Sequence, residues 1–292
     1  MFVDKDKVVG HGHRSALVLG AKSTGKTSFV VSGSDFAPFP LGSSGNLVEC
    51  PDVVLLQVEA ESALGAMDLG MRPRVIDLSN IAGWQALNME IAKAINFLRP
   101  LVDAGEVKIV GIDLGAIDKE IRAWAAGDKV IPKDKLGSMD ISLAAKDVNW
   151  GAVEAQGTAL YRALRTLNCL VVGMAHLKVT NNNPFISKQT TDEAKNAEMA
   201  RDVQGFAGDK AKLTADLSGG VYKPWLANCS FLFAREVEQK NVGTAIAPRI
   251  ESRYVTHTAS TPVFEAGTRR TSKMAAVETR TLRAILTDAY KF

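Results

Sequence analysis

Cysteine is scarce in this chain and nowhere arranged for pairing. Three occur in 292 residues, at positions 50, 169 and 229. They are odd in number and far apart, and no Cys-x-x-Cys is present. A disulfide framework and a structural zinc site are therefore not supported, and buried free thiols are expected. Long hydrophobic runs are also missing. The longest candidate, Cys169 to Ala175, is strand-sized, well short of the roughly 18–20 residues a membrane span needs. The opening Met1–Lys7 is too charged and too poor in apolar residues for a secretory leader, so a cytoplasmic protein without a membrane partner is expected. A dominant charge is absent too: 35 Lys and Arg against 32 Asp and Glu leave +3. That balance permits a polyanionic partner without demanding one. No internal repeat is visible.

With 46% hydrophobic and 23% charged residues, the chain has enough apolar surface to offset its ordering entropy, and a disordered protein is excluded. Short apolar runs alternate with helical patterns. Ser15–Leu19, Val53–Val58, Arg74–Leu78, Val107–Ile112 and Cys169–Met174 read as strands. Between them, Trp84, Leu87, Ile91, Ile95 and Leu98 recur at helical spacing, with Ser79 or Asn80 as cap and Pro100 as terminus; Trp150–Leu167 is helical as well. Ser32–Gly45, with Pro38, Pro40 and Gly42, reads as a loop. This alternation predicts an α/β fold with a mainly parallel sheet flanked by helices. From about 177 to 220 the pattern breaks into a polar insertion with Asn181-Asn182-Asn183-Pro184, expected to be mobile. Cys229–Ala234 and Ala245–Val255 predict a β-rich C-terminal part, and about 273–290 a closing helix.

The most specific pattern is Gly20-Ala21-Lys22-Ser23-Thr24-Gly25-Lys26-Thr27, a full match to G-x-x-x-x-G-K-[ST] between an apolar strand and a helix-compatible run. Glycines let backbone amides wrap phosphate oxygens closely. Lys26 is positioned to neutralise the terminal phosphates and Thr27 to ligate Mg²⁺, so Gly20 through Thr27, with Ser28 following, form the expected nucleotide-binding segment.

Such a loop needs an acid at a neighbouring strand tip. Asp113, directly after Val107–Ile112, is the expected second metal ligand, with Asp118 as its rival. At the exit of Val53–Val58 stand Glu59 and Glu61, where either could align an attacking water. Their spacing puts both on one side of an extended strand, so the pattern alone does not choose between them. His176, at the tip of the Cys169–Ala175 strand, would sit beside Asp113 if the two strands are neighbours.

Together these pieces resemble the RecA-like ATPase core, and most of all its phage-encoded branch of short nucleotide-binding proteins associated with single-strand annealing and recombination. Val58-Glu59-Ala60-Glu61-Ser62-Ala63-Leu64 resembles the RecA strand ending Asp-Ala-Glu-His-Ala-Leu. Asp147-Val148-Asn149-Trp150-Gly151, with the helix after it and Leu170–His176, resembles the phage branch. The likeness spans about 12–255. It implies a single RecA-like domain over 1–292, with ATP and Mg²⁺ as cofactors. It also implies Glu61 as the catalytic acid beside Lys26, and His176 as a polar sensor.

The resemblance further implies a homo-oligomer with nucleotide near the subunit interface, single-stranded DNA as partner, and the host cytoplasm as location if phage-encoded. A neighbour's cation would come from Arg249, Arg253, Arg269, Arg270 or Lys273, with Arg269 or Arg270 favoured. Two alternatives stand beside this reading: a nucleotide-dependent assembly or virion-associated ATPase without DNA binding, and a P-loop small-molecule kinase. No Asn-Lys-x-Asp guanine-reading motif occurs.

Overall fold

The computed structural model describes residues 14–38, 47–60, 63–127, 148–180, 212–241, 250–259, 267–268 and 277–290. Strand β1 (Arg14–Gly20) is followed by α1 (Lys26–Val31), β2 (Val48–Gln57), the single turn α2 (Leu64–Met67), β3 (Met71–Asp77) and the long α3 (Trp84–Asp103). Next come β4 (Ile109–Asp113), α4 (Leu114–Ala126), α5 (Trp150–Leu164), β5 (Leu170–Ala175) and the short strands β6 (Leu177–Thr180) and β7 (Lys212–Ala215). The chain continues through α6 (Gly219–Asn228), β8 (Phe231–Asn241), β9 (Ile250–His257), β10 (Gly267–Thr268), β11 (Val277–Glu278) and α7 (Leu282–Tyr290).

The predicted α/β class with a mostly parallel sheet is what forms. Six strands run parallel in the order β8-β1-β5-β4-β2-β3, and β9, β10 and β11 extend the β8 side antiparallel. The inner strands are apolar at nearly every position because helices cover both faces. In β1, alternate side chains go to opposite layers. Leu17 and Leu19 pack with Leu87, Ile91, Ile117, Leu160 and Trp225 of α3 to α6. Ala16 and Val18 pack with Phe29 of α1 and with Leu282 and Ile285 of α7. At the β3 edge, Pro73 is tolerated because an edge strand can do without its missing N–H on the solvent side.

Several boundaries differ from expectation for tertiary reasons. Helix α3 is capped by Gly83 (φ 85°) rather than Ser79 or Asn80, because Asp77 already claims Ser79 through its amide and hydroxyl. The helix also runs past Pro100 to Asp103, since burial of Val102 outweighs one missing N–H in the last turn.

The expected C-terminal helix over 273–290 is shorter. Val277–Glu278 pairs with β9, and α7 starts at Leu282, whose amide donates to Ser32 Oγ at 2.9 Å. Segment 114–126 is helix α4, with Ile117 and Ile121 buried on one stripe. Of the expected insertion, 181–211 lies outside the described residues, but both ends are built in. Strand β6 pairs with β7, and Ala215 and Leu217 are buried. Helix α6 crosses α5 so closely that a Cβ on Gly157 would lie 2.5 Å from the Gly220 carbonyl oxygen.

Candidate functional site

Parallel pairing sets β1, β4 and β5 level at their C-terminal ends. Leu19 lies beside Ala175, and Asp113 beside Met174. The residues that follow β1 and β5, and the last residue of β4, therefore meet at one sheet edge, where an open α/β sheet offers its ligand crevice.

The loop between β1 and α1 folds on itself. Thr24 Oγ1 donates to the Ala21 carbonyl at 2.9 Å, and Ser23 and Gly25 adopt left-handed backbone (φ 64° and 70°). Ala21, Lys22 and Ser23 are exposed, Thr24 is buried, and Gly25, Lys26 and Thr27 are half-buried. A Cβ on Gly20 would sit 2.3 Å from Thr24 Oγ1, so this turn requires glycine there. Ser28 is directed elsewhere: it is buried, and its hydroxyl donates to the Gly65 carbonyl at 2.6 Å.

Lys26 turns back along the loop. Its Nζ donates to the carbonyls of Gly20 (3.1 Å) and Ala21 (2.9 Å) and lies 3.2 Å from His176 Nδ1. Burial lowers its pKa to about 8, against the opposing charges of Asp113 and Glu59. His176 is pushed below its usual value, first by burial and then by Lys26. An ammonium only donates, so His176 accepts at Nδ1 and carries its proton on Nε2. The β4–β5 adjacency on which the placement of His176 depended is present.

Asp113 ends β4 and caps α4. Both amide bonds, from Gly115 (2.9 Å) and Ala116 (3.4 Å), fall on Oδ1, leaving Oδ2 for another partner. Its pKa is raised, chiefly by burial and next by Glu59, while the two amides and His176 oppose the rise. The rival Asp118 is taken up in structure. It is 1% exposed and accepts from the Ser218 amide and hydroxyl and from Arg122, tying α4 to the start of α6.

Of the two acids after β2, Glu61 lies outside the described residues. Glu59 pairs with Lys119 of α4 at 3.2 Å, and its charge acts on Lys26, Asp113 and His176 alike. Among the candidate trans cations, Arg249, Arg269, Arg270 and Lys273 also lie outside the described residues, while Arg253 is exposed on β9.

Lys119 and, beside the loop, Arg235 of β8 and Tyr254 of β9 escaped the sequence reading. No spacing links positions 119, 235 and 254 to position 25; only strand order does. Among the described residues, no group of three or more His, Cys, Asp or Glu could hold a metal by itself. Thr27 and the free Oδ2 of Asp113 offer two hard oxygen donors, which suits an ion that keeps water and phosphate as its other ligands. No helix of the described residues is long and apolar enough to cross a membrane. Comparison with protein-family models and with curated proteins finds no match for this chain.

Proposed function

We propose that this chain is a Mg²⁺-dependent P-loop ATPase with a RecA-like core, which binds ATP on the Gly20–Thr27 segment and hydrolyses it. The observation that carries the reading is the convergence of Lys26, Asp113 and His176 on one loop at one sheet edge. Sequence separations of 87 and 150 residues make that meeting a property of the fold, independent of the motif that first suggested it.

The roles follow from the side chains. Loop amides and Lys26 hold and neutralise the polyphosphate. Thr27 and Asp113 would hold Mg²⁺, which supplies charge neutralisation on the phosphate oxygens. His176, neutral and protonated on Nε2, donates toward the terminal phosphate and reports its presence through β5 and the β6–β7 hairpin, whose Asp216 amide bonds the His176 carbonyl at 2.7 Å. Glu61 takes the water-aligning role that the RecA resemblance implies, with Glu59 supporting the charge of Lys26. Action on single-stranded DNA as a homo-oligomer, in phage-type recombination, annealing or replication, completes the proposal.

Phosphate release from MgATP, measured with and without single-stranded DNA, tests it. Turnover stimulated by DNA is expected. Turnover that ignores oligonucleotide while ATP drives self-association would favour the assembly-protein alternative. Phosphate passed to a small acceptor would favour the kinase, and absence of ATP binding would remove all three.

A further inference from the structure

We propose that Arg235 is a resident counter-charge for the polyphosphate on the Gly20–Thr27 loop, an inference that rests on the ATP-binding reading above. Arg235 lies beside Gly20 in the β1–β8 register and is 5% exposed. Its guanidinium stands 4.6 Å from the Phe29 ring centroid and 5.6 Å from that of Tyr254. Nη1 donates to Thr256 Oγ1 at 2.6 Å, and Nε is buried with no acceptor. No carboxylate pairs with it among the described residues. Burial pulls its pKa to about 10, which still leaves it charged at neutral pH.

An unpaired buried cation is strongly unfavourable, and two aromatic faces and a hydroxyl offset only part of that cost. Its position gives it a use. A Cβ on Gly25 would lie 3.5 Å from Arg235 Nη2 and 3.1 Å from Tyr254 Cε1. A Cβ on Gly20 would lie 2.9 Å from the Arg235 carbonyl oxygen and 3.2 Å from its Cβ. Both motif glycines thus hold the loop against Arg235.

Lys26 reaches the loop at Gly20 and Ala21, and Arg235 approaches it at Gly25, so two cations bracket one short backbone segment. A resident carboxylate on Arg235 would cancel that field. Left unpaired in a poorly screened site, the guanidinium keeps a positive potential at the loop, and the anion it suits is the polyphosphate the loop binds.

Calorimetric titration of the full chain with MgATP, and separately with inorganic tripolyphosphate, tests the assignment in the wild type, Arg235→Met and Arg235→Lys. Methionine keeps the buried stem without the charge, and lysine keeps the charge without the fork. Arg235→Met is expected to weaken both ligands by roughly tenfold or more, and Arg235→Lys to stay within about threefold of the wild type. Ligand-free Arg235→Met should retain its fold by circular dichroism. Unchanged affinity for both ligands would overturn the proposal. So would loss of the fold in Arg235→Met, which would make Arg235 a structural residue. A loss confined to MgATP, with tripolyphosphate unaffected, would move Arg235 to the nucleoside and overturn it too. Wild-type protein that bound neither ligand would instead bring down the ATP-binding reading, and this inference with it.

Discussion

Raising the pH from 7 to 9 should weaken MgATP binding about tenfold, because Lys26 loses its proton across that interval. Burial in the loop sets the free-protein pKa at about 8, even with Asp113 and Glu59 pulling it upward. Polyphosphate bound against the ammonium favours the charged form and returns the group toward its ordinary value of 10.5. With a pKa of about 8, Lys26 is about nine-tenths protonated at pH 7 and about one-tenth at pH 9, and that ratio is the predicted loss. Binding must then draw in protons: about half a proton per ATP at pH 8 and about a tenth at pH 7. Calorimetry in buffers of different ionisation heat measures this uptake directly. The same shift acts oppositely on folding. Between pH 8 and 10.5 the unfolded lysine binds more protons than the folded one, so this group's contribution to stability rises with pH through that window. Lys26→Met should abolish the proton uptake and the steep part of the affinity profile while leaving the fold intact. Flat affinity from pH 7 to 9 with no uptake at pH 8 would refute Lys26 as the phosphate-facing cation.

Asp113→Asn keeps an oxygen for the Gly115 and Ala116 amides, so stability should change by less than about 1 kcal/mol. Mg²⁺-stimulated turnover, assayed by metal titration, should nevertheless fall at least about tenfold. Glu61→Gln should retain ATP binding and slow phosphate release by on the order of a hundredfold, with Glu59→Gln doing much less. The reverse order would transfer the water-aligning role to Glu59. Because the Glu59 charge supports protonated Lys26, Glu59→Gln should also move the affinity midpoint to lower pH. Asp118→Ala, which strands the Ser218 amide and hydroxyl, should cost about 2 kcal/mol in denaturant unfolding and leave ATP affinity unchanged. A loss of ATP affinity in the folded variant would instead place Asp118 in the site.

The inner strands were legible because burial on both faces writes them as continuous apolar runs, and the Gly20–Thr27 loop because its chemistry constrains consecutive positions. Helix α4 was not, since its buried Ile117 and Ile121 are too few to stand out against the charged run Asp118, Lys119 and Glu120 with Arg122 after it. The start of α7 lies later than expected because Val277 and Glu278 pair with β9; Thr281 then caps the helix, its hydroxyl accepting from the Ala284 amide at 3.2 Å, and the Leu282 amide is satisfied by Ser32, 250 residues earlier. In the sequence Asp118 competes with Asp113 as an acid near a strand end, and only its burial against Ser218 sets it apart.

By itself the sequence determined the α/β class, a glycine-rich loop with the G-x-x-x-x-G-K-[ST] spacing and a set of acids at strand exits, since each is a local pattern enforced by neighbouring residues. Tertiary structure decided which of these residues meet. Strand order β1-β5-β4 puts His176 between the loop lysine and Asp113, and the parallel register sets their strand ends level. Strand β8, on the far flank of β1, brings Arg235 against Gly20 and Gly25. Strand order is chosen by how helices and sheet share one core, a sum over many distant contacts that no short window of sequence contains.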